Sequence, residues 1–193
     1  MDERLLAAVK SGDLSELRRL LRAGTDPDVR DDLGWSALMW AAAMGLAHVV
    51  RVLLENGADT EGSDEYGATA LMKACRQGNT EVADLLLKYG ADVDAVDSLG
   101  WTALMRASQR GHESLVRLLL EQNPHTEVAD GNGATALILA ASGGHTQVVR
   151  DLTEWGADVQ AKDIHGRTAS MWAATNGHTQ IADLLRKAEE YRQ

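Results

Sequence analysis

Phenylalanine is absent from this 193-residue chain, cysteine occurs once, proline twice, and 19 Lys and Arg face 29 Asp and Glu. Each shortage excludes something. A lone Cys75 forbids an intramolecular disulfide, so no cross-link staples the fold. A formal charge of −10 argues against general binding of nucleic acid or an anionic membrane, because both need clustered Lys and Arg to displace counterions. No stretch approaches the roughly 18 consecutive apolar residues of a membrane span. The opening MDERLLAAVKSGD lacks the basic start and the apolar run of a secretory signal. The expected location is intracellular, cytoplasmic or nuclear.

What is present is repetition. Asp-x-x-Gly recurs at Asp31/Gly34, Asp64/Gly67, Asp97/Gly100, Asp130/Gly133 and Asp163/Gly166, a step of 33 residues with no insertion or deletion. A fixed period of this size marks a solenoid, in which each unit buries its apolar face only by stacking on its neighbours. Within the unit, Gly34 and its equivalents fall where a tight turn needs positive φ. Ser36, Thr69, Thr102, Thr135 and Thr168 each precede a short apolar run and fit an N-cap. A Gly closes that first helix at Gly45, Gly78, Gly111, Gly144 and Gly177. A second run such as HVVRVLLENG carries Val49, Val50, Leu53 and Leu54 at helical spacing and ends at Gly57, Gly90 or Gly156.

The pattern D-x-x-G-x-T-x-L-x-x-A-A-x-x-G-H-x-x-V-V-x-x-L-L-x-x-G-A-D resembles the ankyrin repeat and runs through essentially the whole chain. The resemblance implies an all-α, ankyrin-repeat solenoid of stacked antiparallel helix pairs with β-hairpin loops along one edge and a concave binding surface. The family's Thr-Pro-Leu-His stands here as SALM, TALM, TALM, TALI and TASM. Ala therefore replaces the Pro that presets φ at the helix start, and Met or Ile replaces a hydrogen-bonding His. This uniformity fits recent repeat expansion or engineering.

The expected organisation is one domain, 1–193. Residues 1–30 form an N-terminal cap repeat, with Leu5, Ala8, Val9, Leu17, Leu20 and Leu21 in core positions. Full repeats cover 31–63, 64–96, 97–129 and 130–162, and 163–193 is a C-terminal cap repeat in which Ser170 replaces a core Leu. Asn123-Pro124-His125 interrupts the Gly-Ala-Asp loop, and Asn is the non-Gly residue best suited to a left-handed helix end. Gly131, Ser142 and Gly143 thin the fourth full repeat. Gly143→Ala is expected to stabilise it by about 0.5 to 1 kcal/mol.

No catalytic or metal-binding motif stands out, so the expectation is a non-enzyme that needs no cofactor and no metal. His112, His145 and His178 follow the helix-closing Gly and read as helix-start hydrogen bonds. Cys75 takes a small-residue position and reads as a buried thiol. The pairs Asp31/Asp32 and Glu189/Glu190 read as solvated.

Residues that differ between copies carry the functional information, because folding already accounts for the shared ones. By the resemblance, the hairpin tip and outward face of the first helix place Leu33, Trp35, Trp40, Ala43 and Met44 on the concave side. The equivalent sets are Tyr66, Ala68, Lys73, Arg76 and Gln77; Leu99, Trp101, Arg106, Gln109 and Arg110; Asn132, Ala134, Leu139, Ser142 and Gly143; and His165, Arg167, Trp172, Thr175 and Asn176. Trp and Arg are the types most enriched at binding hot spots. The candidate partner-binding residues are Leu33, Trp35, Trp40, Met44, Tyr66, Lys73, Arg76, Leu99, Trp101, Arg106, Arg110, Arg167 and Trp172. Trp155, on a second helix, reads as back-face packing.

The expected function is a protein-interaction module or scaffold, a monomer that grips a protein or peptide segment with an apolar anchor and acidic groups. An engineered ankyrin scaffold is one alternative. A methyl-lysine reader is another, since GWSALMW is similar to the aromatic-cage segment of ankyrin domains in certain histone lysine methyltransferases. Against it, Ala43 and Met44 bring no carboxylate to Trp40, and Lys73 takes the next repeat's aromatic position.

Overall fold

A hydroxyl begins the first helix of every repeat that carries Asp-x-x-Gly. Ser36 Oγ accepts from the Met39 N–H at 3.2 Å, Thr69 Oγ1 from Met72 at 3.4 Å and Thr102 Oγ1 from Met105 at 3.2 Å. Thr135 and Thr168 repeat the bond to Ile138 and Met171, each at 3.4 Å. Such a cap stabilises a helix start by about 1 kcal/mol.

The computed structural model describes residues 2–191. Its helices are Asp2–Ser11 (α1), Leu14–Arg22 (α2), Ala37–Ala43 (α3), Ala47–Glu55 (α4), Ala70–Gln77 (α5), Thr80–Lys88 (α6), Ala103–Arg110 (α7), Glu113–Leu120 (α8), Ala136–Gly143 (α9), Thr146–Trp155 (α10), Ala169–Thr175 (α11) and Thr179–Tyr191 (α12). They cluster into two units, Met1–Ser98 and Leu99–Gln193. In the first, α1 packs on α3 and α3 on α5, while α2 packs on α4 and α4 on α6. In the second, α7, α9 and α11 stack in one layer and α8, α10 and α12 in the other. The fold is all-α, twelve helices in stacked pairs among the described residues. None of them is long and apolar enough to cross a membrane.

The buried face of α3, α5, α7 and α9 combines small residues with one Leu and one Met or Ile in each helix. Ala37, Leu38, Met39, Ala41 and Ala42 are buried in α3, and the corresponding five residues of α5 and α7 are buried too. Met39, Met72, Met105 and Ile138 thus fill the core where the family places His, whereas Met171 in the last repeat is exposed. The first repeat has the core expected of it, with Leu5, Ala8, Val9, Leu17, Leu20 and Leu21 buried. Cys75 is fully enclosed, and burial pushes its thiol well above the ordinary range. Asn123 is left-handed at φ 53°, as its place at a helix end requires.

Several local expectations are corrected. His145 stands at the N-cap of α10 but does not cap it; its Nε2–H donates to the Gln109 carbonyl of the preceding repeat at 3.0 Å. His112 likewise leaves α8 uncapped. Asn79 does in the first unit what His145 does in the second, donating through Nδ2 to the Ala42 and Ala43 carbonyls at 2.8 and 3.1 Å. These side chains tie one repeat to the next, and they lie over a left-handed glycine, Asn79 on Gly45 and His145 on Gly111. Glu189 is not simply solvated: its Oε1 accepts from Ser170 Oγ at 2.9 Å. Ser170 is buried, so a polar residue at a former core position is satisfied by the chain's own last helix.

Candidate partner-binding site

Four hairpins are seen to be built on the Asp of Asp-x-x-Gly, and in three of them its two carboxylate oxygens divide the work. Oδ1 folds the turn. In Asp31 it accepts from the Leu33 and Trp35 N–H groups at 3.1 and 3.0 Å, and in Asp64 from Tyr66 and Ala68 at 2.9 Å each. Asp130 holds Asn132 and Ala134, and Asp163 holds His165 and Arg167, in the same way. Oδ2 faces the first helix and meets the residue nine positions on. Asp31 Oδ2 accepts from Trp40 Nε1 at 2.7 Å, Asp64 Oδ2 from Lys73 Nζ at 2.6 Å and Asp163 Oδ2 from Trp172 Nε1 at 3.0 Å. Asp31 is therefore no solvated carboxylate, contrary to expectation.

Burial alone would push the Asp31, Asp64 and Asp163 carboxyls up, yet the hydrogen bonds outweigh it and hold all three below the ordinary range, Asp163 at about 2.

In the first unit Trp35 and Trp40 meet at a centroid distance of 4.7 Å, tilted by 46°. Their faces already hold cations of the same chain. Lys10 Nζ lies 4.0 Å from the Trp40 centroid and 3.5 Å from Asp31 Oδ2, while Lys73 Nζ lies 4.0 Å from the Trp35 centroid. A carboxylate does stand beside Trp40, supplied by Asp31 from the hairpin and not by the positions of Ala43 and Met44. The aromatic pair thus already holds two cations of its own chain. The second unit repeats the theme with Arg106 4.5 Å from the Trp101 centroid and Arg167 3.8 Å from the Trp172 centroid.

The profile of ankyrin repeats in three copies matches residues 5–97, 94–163 and 125–192, so it covers nearly the full sequence. The chain belongs to the ankyrin-repeat family. No curated protein is a significant match. Ankyrin domains typically bind proteins and are typically non-catalytic.

On this ankyrin framework the predicted site residues separate into two groups. Leu33, Tyr66 and Leu99, at the hairpin tips, are 63%, 70% and 63% exposed, and Met44 at the end of α3 is exposed as well. Arg76 and Arg110, in the last turns of α5 and α7, are exposed. Trp35, Trp40, Lys73, Trp101, Arg106, Arg167 and Trp172 are half-buried. Lys73 is ion-paired with Asp64, and Arg167 with Asp163 at 3.0 Å, so these cations answer the chain's own carboxylates. The second unit brings Trp101, Asp130, Leu139, Asp163, Arg167 and Trp172 around a cavity of about 350 Å³.

Sequence reasoning missed the carboxylates of this surface, although their nine-residue offset from Trp40, Lys73 and Trp172 was visible in the repeat register. It also misjudged Trp155, which is 45% exposed. Trp155 occupies the repeat column of Asn56, Tyr89 and Gln122, and that column faces solvent, with Tyr89 43% exposed.

Proposed function

We propose that the chain is a protein-interaction module that engages a partner segment through its hairpin tips and the adjoining first-helix residues. The observation that carries this reading is the exposure of Leu33 and Tyr66 at equivalent positions of two hairpins of the first unit; Leu99 is exposed at the same repeat position in the second unit. Large apolar side chains held in water at one register position cost solvation and contribute nothing to the core, so their return lies in contacts with another molecule. Met44 adds a flexible apolar contact beside the first tip. Arg110, exposed at the end of α7, favours a carboxylate on the partner. The half-buried aromatics brace the surface and position its tips.

Selection of a random linear-peptide library against the protein tests this. Enriched peptides should carry apolar anchors and lose most of their affinity for a Leu33→Ser/Tyr66→Ser/Leu99→Ser variant whose melting temperature is unchanged. Equal binding by wild type and variant would rule the tips out.

A further inference from the structure

In three hairpins the Oδ2 oxygen of the first Asp is closed by a donor from its own repeat: Trp40 on Asp31, Lys73 on Asp64, and both Trp172 and Arg167 on Asp163. Asp130 departs from this. The residue nine positions on is Leu139 and the one four positions on is Ala134, and neither side chain has a proton to give. Among the described residues the Asp130 carboxylate keeps only its two Oδ1 bonds, from the Asn132 and Ala134 N–H groups at 2.9 Å each. Asp130 lines the 350 Å³ cavity together with the apolar Ile138 and Leu139 and the indoles of Trp101 and Trp172. The charges lining this cavity are the Asp130 and Asp163 carboxylates against the Arg167 guanidinium, with His165 beside them. Arg167 is committed to Asp163 through Nε and Nη2, both at 3.0 Å. One negative charge therefore remains over, on an oxygen whose counterparts in those three hairpins all hold a donor.

We propose that this cavity receives a basic side chain of the partner, whose ammonium or guanidinium donates to Asp130 Oδ2 in the place Lys73 takes on Asp64. Leu139 and Ile138 would pack along its aliphatic stem, because long basic side chains bury their methylenes while the charged head seeks an acceptor. A charge-assisted bond in a partly apolar cleft is the strong kind. The proposal rests on the reading of the chain as an interaction module and names one chemical feature of what it binds.

The probes are N-acetyl-arginine amide and N-acetyl-lysine amide, with neutral N-acetyl-norleucine amide as control, titrated against the isotope-labelled full chain. The expected result is saturable shifts of the Trp172 indole N–H and of the Asn132 and Ala134 amides with the basic amides, weakened by salt and absent with norleucine. The better of the two basic amides identifies the preferred head group. Asp130→Asn keeps an oxygen for the turn but removes the charge, and should weaken binding about ten-fold. Leu139→Lys installs an internal donor and should abolish probe binding while raising the melting temperature. Equal shifts with norleucine, no saturation, or binding unaffected by both variants would overturn the proposal. The peptide selection separates the two readings: peptides sensitive to the hairpin variant but indifferent to Asp130→Asn would leave the module standing without this site, whereas basic amides binding with no peptide selected would leave the site without the module.

Discussion

Lys73 Nζ sits 2.6 Å from Asp64 Oδ2, and the Asp64 side chain is only 1% exposed. A carboxylate withdrawn this far from water needs its counter-ion, and the same ammonium lies over Trp35. Lys73→Met keeps the stem and removes both interactions. It should destabilise the protein by about 2 kcal/mol, the scale of a lost bond to a buried charge, read from urea denaturation at neutral pH. A change within error would mean that solvent satisfies Asp64.

Acid should act through the same set of hairpin aspartates. Asp31, Asp64 and Asp163 have folded-state pKa values below their ordinary ones, so on acidification the unfolded chain takes up these protons first. Their contribution is present in full above about pH 4, the unfolded Asp value, and is lost as pH falls through the folded values, down to about 2 for Asp163. Urea midpoints should decline between pH 4 and pH 2, and Asp163→Asn should flatten that decline.

Trp40 tests whether the aromatic pair braces the fold or meets the partner. Its indole N–H reaches Asp31 Oδ2 at 2.7 Å. Trp40→Phe keeps an aromatic ring and removes that donor, which should cost about 1.5 kcal/mol of stability. Affinity for selected peptides should stay unchanged once the folded fraction is allowed for. Loss of affinity at full folding would return Trp40 to the contact surface.

Gly143→Ala reverses the expectation drawn from helix propensity. Gly143 has no positive φ, but a Cβ there would come within 2.6 Å of His145 Nε2, the atom that bonds the Gln109 carbonyl. Alanine should therefore lower the melting temperature by displacing the imidazole. In a His145→Ala background the same change should stabilise by about 0.5 to 1 kcal/mol. A double-mutant cycle gives the coupling.

The architecture was legible because the repeat prints backbone requirements directly: left-handed turns need Gly, helix starts need Ser or Thr, and Asn123 stands in for Gly where φ is 53°. Side-chain pairing was less legible. Trp40, Lys73 and Trp172 look unrelated along the chain, and read singly each resembles a surface residue awaiting a ligand. Only the folded hairpin brings them to an Asp nine positions earlier. The exposed tips Leu33, Tyr66 and Leu99 were easier, because an apolar residue between Asp and Gly in a tight turn has no core to enter. His145 was misread since its spacing fits an N-cap, while the glycine beneath it directs the ring to the repeat before.

The division of labour within the hairpin Asp has a consequence for how such a surface changes over generations. One oxygen keeps the turn in shape whatever happens on the helix, so the residue opposite the other oxygen behaves as an interchangeable plug in a constant socket. Trp, Lys, Arg, Leu and Trp occupy that place in the five successive repeats. A single codon there recolours the local surface, aromatic to cationic to apolar, while the turn keeps its Oδ1 bonds even where, as at Asp130, the plug is an aliphatic residue.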